Sequence, residues 1–303
     1  MKIYRASEDC SSSIIWLFGS GLIGSAISTA LEGKFACMKN EIGVIWGAYD
    51  QISFTVKKII KNTESLSKNK DFINVTVVWA AGSTGFYSTI RQTDEEYLFF
   101  QKMLDLLIIK SNTFLFNFIF FSSAGALYEG KVDIDYNTDI CIKRPYGTLK
   151  FKQEEYLRHK KEISSLLILR PSSVYGFIDN KIARSSLIST VVHNALSNRL
   201  STLYGNLYTL RNYIWVEDVA NFVIKKIFHF ENVMYILAGP KSHSIIEIKK
   251  EVEKVAKKKV YFKLNSLIEN ESDIVFANNI LPLEYKNTTV SEGIHKIMQK
   301  WNF

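Results

Sequence analysis

Residues Ile14-Ile15-Trp16-Leu17-Phe18-Gly19-Ser20-Gly21-Leu22-Ile23-Gly24 decide how this chain is read. The apolar run suits a strand buried on both faces, and the glycine cluster opens a helix predicted from about Leu22 to Leu31. Glycine permits a tight turn at this join, lets backbone N–H groups approach a pyrophosphate, and lets the helix pack closely on the strand. The helix N-terminus adds partial positive charge facing the phosphates. Gly19, Ser20, Gly21, Leu22, Ile23 and Gly24 are therefore candidate dinucleotide-binding residues. An acid about 20 residues beyond such a turn favours NAD over NADP. None stands at Trp46-Gly47, and Asp50 serves equally well as a helix cap, so the cofactor reads as NAD or NADP.

Outward from that turn, short apolar runs alternate with helical stretches. Strands are predicted at Ile14–Phe18, Ile42–Trp46, Val75–Ala80, Phe116–Phe121 and Leu166–Leu169. Helices are predicted at about Leu22–Leu31, Gln51–Lys61, Thr93–Lys110 and Tyr146–Lys161. Apolar strands separated by helices indicate a parallel sheet covered on both faces, and right-handed crossovers make it doubly wound. The expected class is α/β, a Rossmann-type doubly wound parallel sheet with a smaller, irregular C-terminal substrate lobe. The dinucleotide-binding domain is placed at 1–170, with 212–237 returning to it through Tyr213–Val216 and Met234–Leu237. The substrate lobe takes 171–211 and 238–303.

Composition narrows the classes. The 303 residues are 47% hydrophobic and 22% charged, with 4 Pro, which excludes a disordered or collagenous chain. The formal charge of +8 gathers partly in Lys249–Lys259, where Glu251 and Glu253 interrupt the lysines. Mixed-sign runs mark the wet face of a helix, and no nucleic-acid motif accompanies this one. The uncharged stretch Ser11–Leu31 is long enough for a membrane anchor, but its serines dilute it and Gly19, Gly21 and Gly24 interrupt it. The expectation is no nucleic acid and no membrane. Cys10, Cys37 and Cys141 form no CxxC pair and no metal-ligand spacing, which suits a reducing, cytoplasmic compartment without a metal.

A second constellation carries chemistry. In Pro145-Tyr146-Gly147-Thr148-Leu149-Lys150 the proline suits a first helical position, and Tyr146 and Lys150 then share one helical face. A free phenol, with a pKa of about 10, is a poor base at neutral pH, and a neighbouring ammonium is expected to lower that value. The pair would move a hydroxyl proton while hydride leaves the same carbon. The strand Phe116–Phe121 delivers Ser122-Ser123 to the C-terminal edge of the sheet, where ligands of open α/β sheets sit. Ser123 is the preferred catalytic hydroxyl and Ser122 the second choice. Cys141 and His193 read as packing residues, and Glu154 and Glu155 as outward-facing ion-pair formers.

These segments resemble the extended short-chain dehydrogenases/reductases of the NAD-dependent epimerase/dehydratase family, over nearly the whole chain from Ile14. The glycine turn resembles the family's cofactor loop, and Val78-Trp79-Ala80-Ala81-Gly82 its third-strand cofactor contact. Ser122 through Tyr128 and Pro145 through Lys150 resemble its active-site segments. Leu169-Arg170-Pro171-Ser172-Ser173-Val174-Tyr175-Gly176 and Leu210 through Ala220 are similar to stretches of its nucleotide-sugar branch. The resemblance implies catalysis by Ser123, Tyr146 and Lys150. It implies cofactor contacts from the glycine turn, Ala80, Ala81, Gly82, Ser122, Tyr146, Lys150, Pro171 and Ser173. It implies substrate contacts from Ser123 and Arg211, whose guanidinium fork suits a diphosphate.

There are departures. Phe18 stands where the family's first glycine falls, and Ser173 replaces a frequent asparagine. Ala124-Gly125 replaces the acid pair of the 4,6-dehydratases, which disfavours dehydration. The resemblance leaves a nucleotide-sugar 4-epimerase and a keto-sugar reductase, working in polysaccharide or glycoconjugate precursor synthesis. It also implies a homodimer through the helices Thr93–Lys110 and Tyr146–Lys161. A non-catalytic dinucleotide-binding regulator of the same fold is the alternative.

Overall fold

The structure is a computed structural model and describes residues 1–8, 11–35, 38–67, 73–111, 113–177, 186–265 and 272–301. Cys10 and Cys37 lie outside the described residues. The chain begins with strands β1 (Lys2–Glu8) and β2 (Ser11–Phe18), helix α1 (Leu22–Lys34), β3 (Met38–Glu41), α2 (Ile52–Leu66) and β4 (Ile73–Trp79). Helix α3 (Ile90–Ile109), β5 (Phe114–Phe121), the short α4 (Ala124–Leu127), α5 (Pro145–Arg158) and β6 (Ile163–Pro171) complete the first half. Then come β7 (Ser173–Tyr175), α6 (Leu187–Leu196), β8 (Leu200–Tyr204), β9 (Leu210–Trp215), α7 (Val216–Lys226) and β10 (Val233–Leu237). The chain ends with β11 (Ser242–Ser244), α8 (Ile245–Ala256), β12 (Tyr261–Asn265) and α9 (Val290–Lys300).

A seven-stranded sheet runs in the order β10-β6-β5-β4-β2-β1-β3. Strands β10, β6, β5, β4 and β2 are mutually parallel. Their register lines up the C-terminal ends: Phe18 lies opposite Trp79, Trp79 opposite Phe120, Phe121 opposite Leu169, and Pro171 opposite Leu237. Every segment that follows these strands therefore leaves from one edge. Alternate residues feed two cores. Trp16, Phe18, Val77, Trp79, Phe118 and Phe120 pack with residues of α2 and α3, while Ile15, Leu17, Val78, Ile119 and Phe121 pack with residues of α1 and α7. Trp16 satisfies its indole by donating to Thr63 Oγ1 at 2.9 Å, as a buried ring nitrogen must.

Two predicted strands are corrected. Residues 42–46 form no strand; the edge strand is β3, antiparallel to β1, which in turn is antiparallel to β2. The apolar character of Ile42, Val44 and Trp46 has another cause, because they pack onto the core that α2 and α3 cover. The polar run Met38-Lys39-Asn40-Glu41 escaped the apolar pattern because an edge strand tolerates polar residues. The sheet is therefore mixed, with β1 inserted between the glycine-turn strand and the next crossover strand.

The second correction concerns the return of the chain. Strand β10 does pair with β6, but Tyr213–Trp215 belongs to a separate three-stranded sheet, β11-β9-β7. With the parallel pair β8 and β12 and helices α6, α8 and α9, that sheet builds the C-terminal lobe. Its core includes Tyr175, Val191, Tyr213, Trp215, Val252 and Ile294. Gly293 is required there, since a Cβ would lie 2.2 Å from the Tyr175 hydroxyl.

Burial pushes the Tyr213 phenol up to about 12, although Arg211 opposes the shift. A phenol whose folded pKa exceeds its ordinary 10.0 favours the folded state while protonated. That contribution is complete below pH 10 and is lost as pH rises through about 12. Tyr213→Phe should therefore raise the alkaline unfolding midpoint, followed by circular dichroism, with little change at neutral pH. An alkaline midpoint identical to the parent's would remove Tyr213 as a cause.

Candidate active site

The glycine turn is built by contact. Gly19 has φ +114°, and a Cβ there would sit 2.3 Å from the Ala80 carbonyl oxygen. A Cβ on Gly24 would sit 2.3 Å from the Gly19 oxygen, so strand, turn and helix close on one another without side chains. Above Gly21 a Cβ would meet nothing within 4 Å. No side chain caps α1 at Gly21, leaving the start of the helix to an external anion. Ala80 N–H donates to the Phe18 carbonyl at 2.9 Å, and the Ala80 oxygen and Ala81 nitrogen abut Gly19, so these two residues lie beside the turn and Gly82 follows them.

The serine pair divides its work. Ser122 is buried, its hydroxyl meets no hydrogen-bond partner, and its N–H donates to the Leu169 carbonyl at 2.8 Å. Ser123 caps α4, accepting the Ala126 N–H at 3.3 Å, and lines a cavity of about 430 Å³. Tyr146, Ser173 and Arg211 line the same cavity, so residues from four segments face one space. Gly147 allows this approach, because a Cβ would lie 2.5 Å from the Ala126 oxygen. Pro171, the last residue of β6, stands two residues ahead of Ser173 and does not line the cavity.

Lys150 is 4% exposed and donates to the Phe121 carbonyl at 3.0 Å. Its Nζ lies 5.0 Å from the centre of the Phe120 ring and 5.8 Å from that of Tyr146. The expected lowering of the Tyr146 pKa is not found. Burial pushes the phenol above its ordinary value, and the charge of Glu96 pushes it further. Burial lowers Lys150, against which Glu96 and then Glu154 raise it. The sequence argument counted the one cation on the helix face and omitted an anion delivered from α3. Tyr146 therefore stands as a phenol, suited to donate a proton and needing added positive charge to accept one.

Arg211 donates to the carbonyls of Leu210 and Ser272, at 2.9 and 2.5 Å. Burial lowers its pKa, opposed by Tyr213, Glu129 and Asp273. A half-buried guanidinium on a cavity wall favours an anionic ligand. The cavity also takes Phe86 and Tyr87 from the loop after β4, and Leu203 and Tyr204 from β8, none of them named from sequence. Only the loop-borne aromatic pair Phe86-Tyr87 offered a signal. Arg144 lies 4.0 Å over the Phe86 ring and is tied to Glu129 at 3.1 Å, which fixes that loop to the start of α5.

Glu154 also departs from the sequence reading. It is 1% exposed and holds Arg170 through both oxygens, at 2.9 and 2.6 Å, while Arg170 also donates to the Tyr128 hydroxyl at 2.6 Å. Glu155 does face outward, to Arg158 at 3.5 Å. His193 packs against Trp301 at 5.1 Å, and Cys141 is a half-buried free thiol. Among the described residues, no group of three or more His, Cys, Asp or Glu could hold a metal ion. Among the described residues no helix is long and apolar enough to cross a membrane.

The model of the NAD dependent epimerase/dehydratase family matches residues 19–235. The chain belongs to that family. A Methanocaldococcus jannaschii protein provisionally named UDP-glucose 4-epimerase is 31% identical over 106 residues. That match spans 34% of this chain and 35% of the curated relative, about a third of its length. Solved structures share the fold at low identity. The UDP-glucose 4-epimerase of Thermus thermophilus, in complex with NAD, superposes with a TM-score of 0.73 at 15% identity, covering 93% of this chain and 98% of that one. The UDP-glucose 4-epimerase of Thermotoga maritima, with UDP-glucose, gives 0.74 at 16%, covering 95% and 98%. RMD of Pseudomonas aeruginosa, complexed with NADPH, gives 0.71 at 15%, covering 95% and 99%.

Removing one partner of the buried pair leaves the other charge uncompensated. Glu154→Ala should therefore cost about 3–5 kcal/mol of folding stability, measured by chemical denaturation. A loss below about 1 kcal/mol, the range of an exposed pair, would contradict the burial.

Proposed function

We propose that the protein is an NAD(P)-dependent nucleotide-sugar epimerase, in which Tyr146 exchanges a proton with a sugar hydroxyl. One observation carries the reading: Ser123, Tyr146 and Arg211, from three distant segments, line a single cavity at the strand-end edge of the sheet. The glycine turn fits a dinucleotide, since it pairs an uncapped helix start with open space above Gly21. Residues Gly19 to Gly24, Ala80 to Gly82, Ser122, Pro171 and Ser173 would hold the cofactor, with Lys150 and Tyr146 beside it. When bound, the nicotinamide supplies hydride transfer and, in its oxidised form, a positive charge.

The chain's own residues do the rest. Ser123, held in place by the Ala126 N–H, orients the reacting oxygen toward Tyr146. Tyr146 takes the proton of the sugar hydroxyl as its carbon is oxidised and returns it on reduction. Lys150, anchored on the Phe121 carbonyl, offers the positive charge nearest the phenol on its own helix. Arg211 supplies donors for the nucleotide diphosphate, and Phe86, Tyr87 and Tyr204 offer ring surfaces to the sugar along the cavity wall. Homodimerisation through α3 and α5, where Leu98 and Phe151 are exposed, belongs to the same proposal.

The keto-sugar reductase uses the same serine, tyrosine and lysine, and cofactor turnover separates the two. An epimerase interconverts UDP-, GDP- or dTDP-sugars with no net change in reduced-nicotinamide absorbance, whereas a reductase consumes NAD(P)H in step with product. Tyr146→Phe should reduce kcat by about 10²–10⁴-fold, the usual range for a lost general acid/base, with a smaller effect on KM. Full turnover by this variant would remove Tyr146 as the acid/base, and absence of turnover by the parent with every sugar nucleotide would favour the non-catalytic regulator.

A further inference from the structure

Helix α3 buries Thr93, Glu96, Phe99, Phe100, Met103, Leu104 and Leu107 along one stripe. Glu96, the one ionisable side chain in that stripe, is 5% exposed. Buried carboxylates are rare unless their oxygens are satisfied. Here Oε2 accepts the N–H groups of Ser83 at 2.6 Å and Thr84 at 2.8 Å, and the Ser83 hydroxyl at 3.1 Å. Oε1 lies 2.8 Å from where a Cβ on Gly82 would be, so a larger residue there would displace the carboxylate. Among the described residues no cation forms a direct ion pair with this carboxylate.

The clamped loop has two functional ends. Behind it, the Ala80 oxygen abuts Gly19 of the phosphate turn. Ahead of it, Phe86 and Tyr87 line the cavity. The charge of Glu96 also acts on α5, where it opposes the loss of the Lys150 proton and the ionisation of Tyr146. We propose that Glu96 is a positioning residue for the Tyr146–Lys150 pair. Its carboxylate fixes the loop between the glycine turn and the cavity, and its charge adds to that of Glu154 in favouring the buried ammonium. This deepens the proposed function and rests on it for the roles of the pair.

The charged groups near the pair are few. Lys150 and Glu154 share its helix, and Glu154 is engaged by Arg170 of β6 and by Arg158. Strand β5 and the turn after it contribute only the carbonyl of Phe121 and the hydroxyls of Ser122 and Ser123. Helix α4 carries no titratable side chain. Glu96 from α3 is thus the anion not already committed to a cation. With it in place, Lys150 holds its proton more tightly and Tyr146 is harder to ionise. Tyr146 and Lys150 would border a bound nicotinamide, whose oxidised form would add positive charge that favours ionisation of the phenol.

Glu96→Gln tests the charge, because the amide oxygen can still accept the Ser83 and Thr84 N–H groups. A polyfluorinated tyrosine placed at position 146 brings the phenol into an accessible range and reports its ionisation by fluorine NMR, independently of turnover. The titration midpoint should fall in Glu96→Gln by about one pH unit, a tenfold change in the ionisation constant. Glu96→Asp keeps the charge and withdraws the clamp. It should leave the midpoint near the parent's while amide exchange at Ser83 and Thr84 quickens. A midpoint unmoved by Glu96→Gln overturns the electrostatic role, and unchanged exchange in Glu96→Asp overturns the clamp. The fluorine titration stands even if Tyr146→Phe retains turnover, so failure here is distinct from failure of the epimerase reading.

Discussion

A lysine carried into the protein interior needs oxygen ligands and a counter-charge, and the first half of this chain is arranged around meeting that need at Lys150. Desolvation of an ammonium costs several kcal/mol even after relaxation. The Phe121 carbonyl, at the C-terminal end of β5, supplies one ligand at 3.0 Å, and the face of Phe120 lies 5.0 Å away. That geometry requires α5 to cross directly over the end of β5. The crossing brings Tyr146 to the cavity that Ser123 lines. It also presses the start of α5 against α4 so closely that residue 147 must be glycine.

One turn further along α5, Glu154 grips Arg170 of β6 through both oxygens. The two anchors constrain different motions. The Lys150 contact sets how far α5 reaches along β5, and the Glu154 fork sets its rotation against β6. A bidentate guanidinium–carboxylate pair tolerates little angular error. Tyr128 ties the same arginine to the segment that follows Ser123. The relative position of the serine and tyrosine segments thus depends on buried polar contacts as much as on apolar packing. Such contacts discriminate among registers that a uniformly apolar interface would accept.

Much of this was legible in sequence, and the gaps have physical reasons. The strand-turn-helix at Ile14–Gly24 and the crossover rhythm are local patterns, each readable within a dozen residues. Tyr146 and Lys150 were legible because helical spacing alone sets them on one face. Strand β3 was not, since an edge strand carries polar residues and matches no apolar template, and neither was the interior β1, whose apolar residues are interrupted by Lys2 and Arg5. Residues 42–46 misled because apolar side chains that plug a core look like a buried strand. The direction of the Tyr146 shift was missed because an electrostatic field sums over groups brought together by folding. Glu96 lies 50 residues from Tyr146 in the chain. The aromatic wall shares that origin, with Tyr87 and Tyr204 touching at 6.4 Å only in the folded state.

The inserted strand β1 alters how cofactor choice is encoded. The rule that places an acid about 20 residues beyond the glycine turn assumes that the next crossover strand lies directly beside the first. Here β1 occupies that place, and β3 stands two strand spacings from β2, about 10 Å away. Glu41, at the tip of β3, lies opposite Lys2 in the ladder and pairs with it at 3.5 Å, so its charge is spent within the sheet. Lys2 in turn reaches Ser28 of α1 at 2.7 Å, which anchors the β1 edge to the helix that follows the glycine turn. An acid at the sequence spacing of the motif carries no information about NAD or NADP when an extra strand has moved its tip away.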